Sequence, residues 1–208
     1  LRHTDKPLAT GSDQLVGQSR AMWPVIERIP QVARSDATVL ITGGSSGIGR
    51  AAAIELAQLG ANVTLLARRE DVLREAVAAL PTHDTQRHGF LVADVSQRQA
   101  LGDAVSALAL DRPVHILVNN TGGPPGGAAH AAGIDAYLDA FNRHLLANHT
   151  LLQAVLPGMR AARWGRIVNV ISTSVYEPIP NLGVSNTIRG AVASWAKTLS
   201  RELGPEGI

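Results

Sequence analysis

The residues with the most specific chemistry form the run Thr42-Gly43-Gly44-Ser45-Ser46-Gly47-Ile48-Gly49. It lies between a β-branched run ending at Thr42 and an Ala/Leu-rich stretch opening at Gly47. Its glycines therefore let backbone approach a pyrophosphate placed at a helix N-terminus. An ordinary Gly-rich strand-to-helix turn is the plainer reading of the same residues. After the next strand-like run, where an acid would bind a ribose 2′-hydroxyl, the chain reads Ala67-Arg68-Arg69. The planar fork of a guanidinium suits a 2′-phosphate, so Arg68 and Arg69 predict NADP in preference to NAD, although two arginines could equally open a solvated helix. Phosphate transfer is the rival chemistry, because Gly44 to Gly49 followed by Arg50-Ala51 has the spacing of a triphosphate loop. That loop needs a lysine for the β/γ-phosphates and a hydroxyl for Mg²⁺, and Arg50 and Ala51 supply neither.

These residues must be positioned by the elements around them. From Thr38 to Ile208, short β-branched runs alternate with Ala/Leu-rich stretches, the pattern of parallel strands crossed over by helices. Strands are predicted over Thr38 to Thr42, Asn62 to Ala67, Gly89 to Val92, His115 to Asn119 and Arg166 to Ile171. Apolar residues at helical spacing predict helices over Gly47 to Leu59, Arg69 to Leu80, Gln97 to Leu110, Ile134 to Arg163 and Asn181 to Leu203. Pro124, Pro125 and the glycines from Gly122 to Gly127 make a loop after the fourth strand, where ligand-facing loops of such sheets lie.

Composition narrows the function classes. The chain has 208 residues, 45% of them hydrophobic, enough for one domain with a real core. There is no cysteine, which excludes a disulfide scaffold, a thiol nucleophile and a Cys-ligated zinc site; no metal is expected. No stretch reaches the roughly 20 apolar residues of a membrane helix. The formal charge is +2 and the arginines are scattered among acids, so nucleic acid is not an expected partner. A soluble, cytoplasmic protein is the expectation.

Four motifs recur in order: Thr42 to Gly49, Asp94-Val95, Asn119-Asn120-Thr121-Gly122, and Gly165-Arg166-Ile167-Val168-Asn169-Val170-Ile171-Ser172. Together they resemble the short-chain dehydrogenase/reductase family, close to its 3-oxoacyl-carrier-protein reductases, over about Thr38 to Ile208. The resemblance implies an α/β fold with a Rossmann-type doubly wound parallel sheet, a nicotinamide dinucleotide cofactor and a small ketone or secondary alcohol as substrate. It implies that Asp94 and Val95 line the adenine. It also implies that Asn119 lies beside the adenine ribose while supporting the sheet, and that Asn120 and Gly122 belong to the cofactor site. Thr121 stands where the family has alanine.

The family's Asn, Ser, Tyr and Lys catalytic set is altered. Counting forward from Ser172 at the family spacing puts Ser185 at the tyrosine position and Arg189 at the lysine position. Counting back from Pro157 puts His144 at the asparagine position. Asn-Asn-Thr-Gly-Gly-Pro-Pro with Ser-Asn-x-x-Arg resembles a divergent branch of the family. Ser185 is a far weaker acid than a phenol of pKa ~10, and Arg189 can stabilise negative charge but cannot relay a proton. His144, with an unperturbed pKa of ~6.5, is the one group near neutrality that this register brings to the site. It could instead belong to a polar helix face with Asn142, Arg143, Asn148 and His149. The resemblance implies that Ser172 is the family's catalytic serine and places the substrate, although it could simply end a buried strand and cap the next turn; Tyr176 is an alternative acid. Without the tyrosine, a dinucleotide-binding module with little or no activity is the second reading.

Residues 1–36 do not fit the alternation and are expected to form a partly helical N-terminal extension to the domain at 37–208. The segment from Leu15 to Gly43 resembles the lead-in of AAA+ activators that work with the alternative sigma factor. By the family resemblance the domain is incomplete after its fifth strand-helix unit, with a sixth strand and a substrate-covering segment to follow Ile208, so the fifth strand is left unpaired on one side. The helices over Ile134 to Arg163 and Asn181 to Leu203 are expected to join copies into a homodimer or homotetramer. Trp23, Trp164 and Trp195 are expected to pack.

Overall fold

The computed structural model describes residues 37–83 and 85–208. The expected N-terminal extension, its likeness to an activator lead-in before residue 37, and Trp23 lie outside them. Five strands, β1 Thr38–Thr42, β2 Asn62–Ala67, β3 Gly89–Val92, β4 Ile116–Asn119 and β5 Arg166–Asn169, form one parallel sheet in the order β3-β2-β1-β4-β5. The order reverses between β1 and β4. That switch point opens a crevice beyond the carboxyl ends of both strands.

Side-chain alternation puts the core on both faces of the sheet. Val39, Ile41, Val63, Leu65, Ile116 and Val118 face helices α1 Gly47–Gln58 and α2 Glu70–Ala78, meeting Ala53, Leu56, Ala57, Leu73 and Ala76. Leu40, Leu66 and Leu117 point the other way, onto Leu101 and Val105 of α3 Arg98–Asp111 and onto Leu151, Val155 and Met159 of α5 Ala147–Ala162. Being covered twice, β1, β2 and β4 read as nearly continuous apolar runs. A third cluster joins Ala140 of α4 Ile134–Phe141 to Val184 and Ile188 of α6 Gly183–Leu203.

Three local features differ from the sequence expectations. The helix expected over Ile134 to Arg163 is divided by a π-helical turn, Asn142–Leu146, between α4 and α5. Strand β5 ends at Asn169 rather than Ile171, because only Arg166 to Asn169 pair with Ile116 to Asn119. It is also an edge among the described strands, with Val168 43% exposed, so Ser172 does not end a buried strand. Trp164 packs against the first core cluster, 6.1 Å from the His115 ring, and half-buried Trp195 meets His149 at 6.2 Å. Among the described residues, no helix is long and apolar enough to cross a membrane and no cluster could hold a metal ion.

Candidate functional site

A cleft of about 920 Å³ opens at the switch point, between the ends of β1, β2 and β4 and the segments that follow them. At one end Ser45, Ser46, Gly47 and Ile48 present the start of α1. Ser46 caps this helix in an extended conformation without a side-chain hydrogen bond, and no acid sits in the first turn. Gly47 has φ +55°, and the space a Cβ would fill there is open. An uncapped N-terminus facing an open cradle fits a phosphate group. Thr42 and Gly49 build this cradle from behind. The Thr42 hydroxyl accepts from the Asn120 amide at 2.8 Å, and a Cβ on Gly49 would strike the Gly43 carbonyl.

Arg68 and Arg69, just after β2, line the same cleft and are exposed. Arg68 has no ion pair among the described residues. Asp94 and Val95 line the cleft beside the two arginines, where the Ala93 amide donates to Ala67 O at 3.0 Å. Asp94 accepts from the backbone amide of Ser96 at 2.9 Å and from its hydroxyl at 2.8 Å, and the backbone bond holds the carboxyl below its ordinary value. Asn120 and Gly122 line the floor. Asn119 is turned into the sheet instead: its Nδ2 donates to Asn169 Oδ1 at 2.8 Å, and Asn148 Nδ2 reaches the same oxygen at 3.3 Å.

At the far end, His144 and Arg189 line the cleft together. Arg189 is 9% exposed and donates to the carbonyls of Val170 at 2.9 Å and Thr121 at 3.1 Å. The Thr121 hydroxyl meets His144 Nδ1 at 2.6 Å. Burial, reinforced by the Arg189 and Arg143 guanidiniums, pushes the His144 imidazole down to about 4, against a weaker opposing pull from Asp139. The expectation of a group titrating near neutrality is therefore corrected: this histidine is neutral at pH 7. Nor does it belong to a common polar face. His144 and Asn148 are buried, whereas His149 is exposed.

Neither Ser172 nor Ser185 is among the residues that line the cleft. Ser172 follows the cleft residue Ile171, and its Oγ accepts from the Ser174 amide at 3.1 Å, capping the turn Thr173–Val175. Ser185 is half-buried one helical turn before Arg189. Tyr176 is 92% exposed. The loop after β4 is fastened to the start of α6, with the Gly127 amide donating to Asn181 O at 2.6 Å and the Gly183 amide to Gly127 O at 2.9 Å. Arg143 and Thr121 also belong to this end. Thr121 showed in the sequence only as a departure from alanine, and its partner lies 23 residues away.

A parallel sheet in this order, with helices on both faces and a Gly-rich turn at its switch point, defines a Rossmann-type fold. The chain belongs to the short chain dehydrogenase family, which matches residues 37–208. It is 33% identical over 173 residues to the 3-oxoacyl-acyl-carrier-protein reductase FabG of Pseudomonas aeruginosa, covering 81% of this chain and 68% of the relative. It is 31% identical to the inactive hydroxysteroid dehydrogenase-like protein 1 of Homo sapiens, covering 81% of this chain and 52% of that protein. Against hydroxysteroid dehydrogenase-like protein 1 of Gallus gallus the identity is 30%, covering 90% of this chain, and the chain spans 57% of that relative's length. The crystal structure of L-sorbose reductase from Gluconobacter frateurii, complexed with NADPH and L-sorbose, superposes with a TM-score of 0.78 at 29% identity, over 83% of this chain and 66% of that one.

Proposed function

We propose that the protein is an NADP-dependent oxidoreductase that interconverts a ketone and a secondary alcohol. The observation that carries this reading is one cleft lined by the uncapped, Gly-rich start of α1 and by Arg68 as well as by the buried pair Arg189 and His144. The start of α1 would hold the pyrophosphate, and Arg68 with Arg69 the 2′-phosphate. Asp94, Val95, Asn120 and Gly122 would line the rest of the dinucleotide. The cofactor, when bound, supplies the hydride.

At the other end the carbonyl oxygen gains negative charge as its carbon takes the hydride. Arg189 stabilises that charge from a water-poor position, where a fixed cation is worth more than in solvent. Its guanidinium keeps its proton, so the proton that completes the alcohol comes from water. Ser172 and Ser185 occupy the family's serine and tyrosine positions by register, but neither lines the cleft and an aliphatic hydroxyl is a poor acid, so neither is given the proton-donating role.

A second reading is a dinucleotide-binding module with little turnover. The serine at the tyrosine position favours it, as do relatives named inactive. Steady-state assays with NADPH and a panel of ketones, run beside a binding titration, separate the two. Ketone-dependent oxidation of NADPH supports the oxidoreductase; saturable binding without turnover supports the module.

A further inference from the structure

We infer that Thr121 is a positioning residue, whose hydroxyl donates to Nδ1 of His144 and thereby fixes the neutral imidazole with its proton on Nε2, presented to the cleft. The inference rests on the oxidoreductase reading for its role in the reaction. The hydrogen bond itself does not depend on that reading.

Three observations carry it. Thr121 Oγ1 and His144 Nδ1 are 2.6 Å apart, and no other hydrogen bond is made by either side chain among the described residues. A hydroxyl that donates to Nδ1 satisfies that nitrogen's lone pair and its own O–H at once. In the opposite sense, with the ring donating, the Thr121 proton would need another acceptor. Second, Thr121 is itself held: its carbonyl accepts from Arg189 Nη2 at 3.1 Å, and the next residue but one before it, Asn119, is locked to Asn169. Third, His144 lies on the π-helical turn Asn142–Leu146 and lines the cleft beside Arg189. Such turns often aim a side chain at a functional site.

The charged groups acting on the ring agree with a neutral form. Arg189 on α6 and Arg143 on the π turn disfavour a second proton, and Asp139 on α4, paired with Arg143 at 2.8 Å, opposes them only weakly. The ring therefore cannot act as an imidazolium acid at neutral pH. A neutral imidazole N–H can still polarise a carbonyl, a device that suits a site where the cation is supplied separately. Nε2–H would hold the carbonyl oxygen by a hydrogen bond while charge grows on it, with Arg189 as the cation. No proton needs to leave the ring.

The test is ¹⁵N NMR of the histidine-labelled protein at neutral pH, for the parent, Thr121→Val and Thr121→Ser, together with ketone reduction by the same samples. The parent and Thr121→Ser should show one tautomer, protonated on Nε2, and Thr121→Val a mixture. On any ketone the parent reduces, kcat should fall about tenfold or more in Thr121→Val, with KM for NADPH unchanged, and recover in Thr121→Ser. A parent ring protonated on Nδ1, or a tautomer indifferent to Thr121→Val in the folded protein, overturns the inference. The expected tautomers in a parent that reduces no ketone would uphold the hydrogen-bond assignment and remove the oxidoreductase reading instead.

Discussion

Arg189 Nη2 donates to the carbonyl of Thr121 at 3.1 Å, tying helix α6 to the segment that leaves β4. A second bond, to Val170, reaches the segment that leaves β5. No carboxylate pairs with this guanidinium among the described residues. Its charge therefore acts on the cleft, where His144 is the buried titratable neighbour. A buried cation without a counter-charge is costly unless it is hydrogen-bonded, and the two carbonyls meet that need.

Replacing the cation should release part of the pressure on the histidine. In Arg189→Met, the His144 value should rise above about 4 while staying below 6.5, because burial, the larger cause, remains. The reduction rate should fall about tenfold or more as the stabilising charge is lost. An NMR pH titration of the imidazole checks the first part. An unchanged value would mean that Arg189 exerts no field on the ring.

The same histidine makes stability depend on pH. The folded ring stays neutral down to about pH 4, whereas the unfolded chain takes up the proton near 6.5. Between those values the unfolded state binds more protons, so this contribution is complete above about 6.5 and is lost as pH falls towards 4. Urea unfolding across the window should show the parent losing more stability than His144→Asn. Equal losses would contradict the low value.

Most of the frame was legible in the sequence, because β1, β2 and β4 are apolar runs that match the demand of a doubly covered parallel sheet. The cradle at Thr42 to Gly49 was legible for a similar reason: its glycines mark close backbone approach whatever the distant contacts are. His144 was harder to read. Its neighbours Asn142, Arg143, Asn148 and His149 suggest a polar face, yet it shares a helical stripe with Ala140, Ala147 and Leu151, all buried. Reading that stripe would have turned it inward. The π turn and the Thr121 bond had no comparable signal, since both depend on how α4, α5 and the β4 loop meet in space. Ser172 and Ser185 were placed by register alone, which cannot say whether a side chain lines a cleft.

Asn169 is the shared acceptor of a buried amide cluster. Asn169→Leu removes the oxygen that serves Asn119 at 2.8 Å and Asn148 at 3.3 Å, leaving both amide groups without that partner. An unsatisfied buried donor costs about 1–3 kcal/mol, so stability should drop by at least that much. Urea unfolding at neutral pH measures it. A midpoint equal to the parent's would show that the cluster carries no stability.

That the cleft is a site for NADP is a claim that calorimetric titration of the protein with NADPH and NADH can decide. NADPH should bind saturably and more tightly than NADH. A charge-assisted pair is worth about 1.5–3 kcal/mol, so Arg68→Ala should narrow that preference by roughly tenfold or more. Equal affinities of the parent protein for the two dinucleotides, or no saturable binding of either, would contradict the claim.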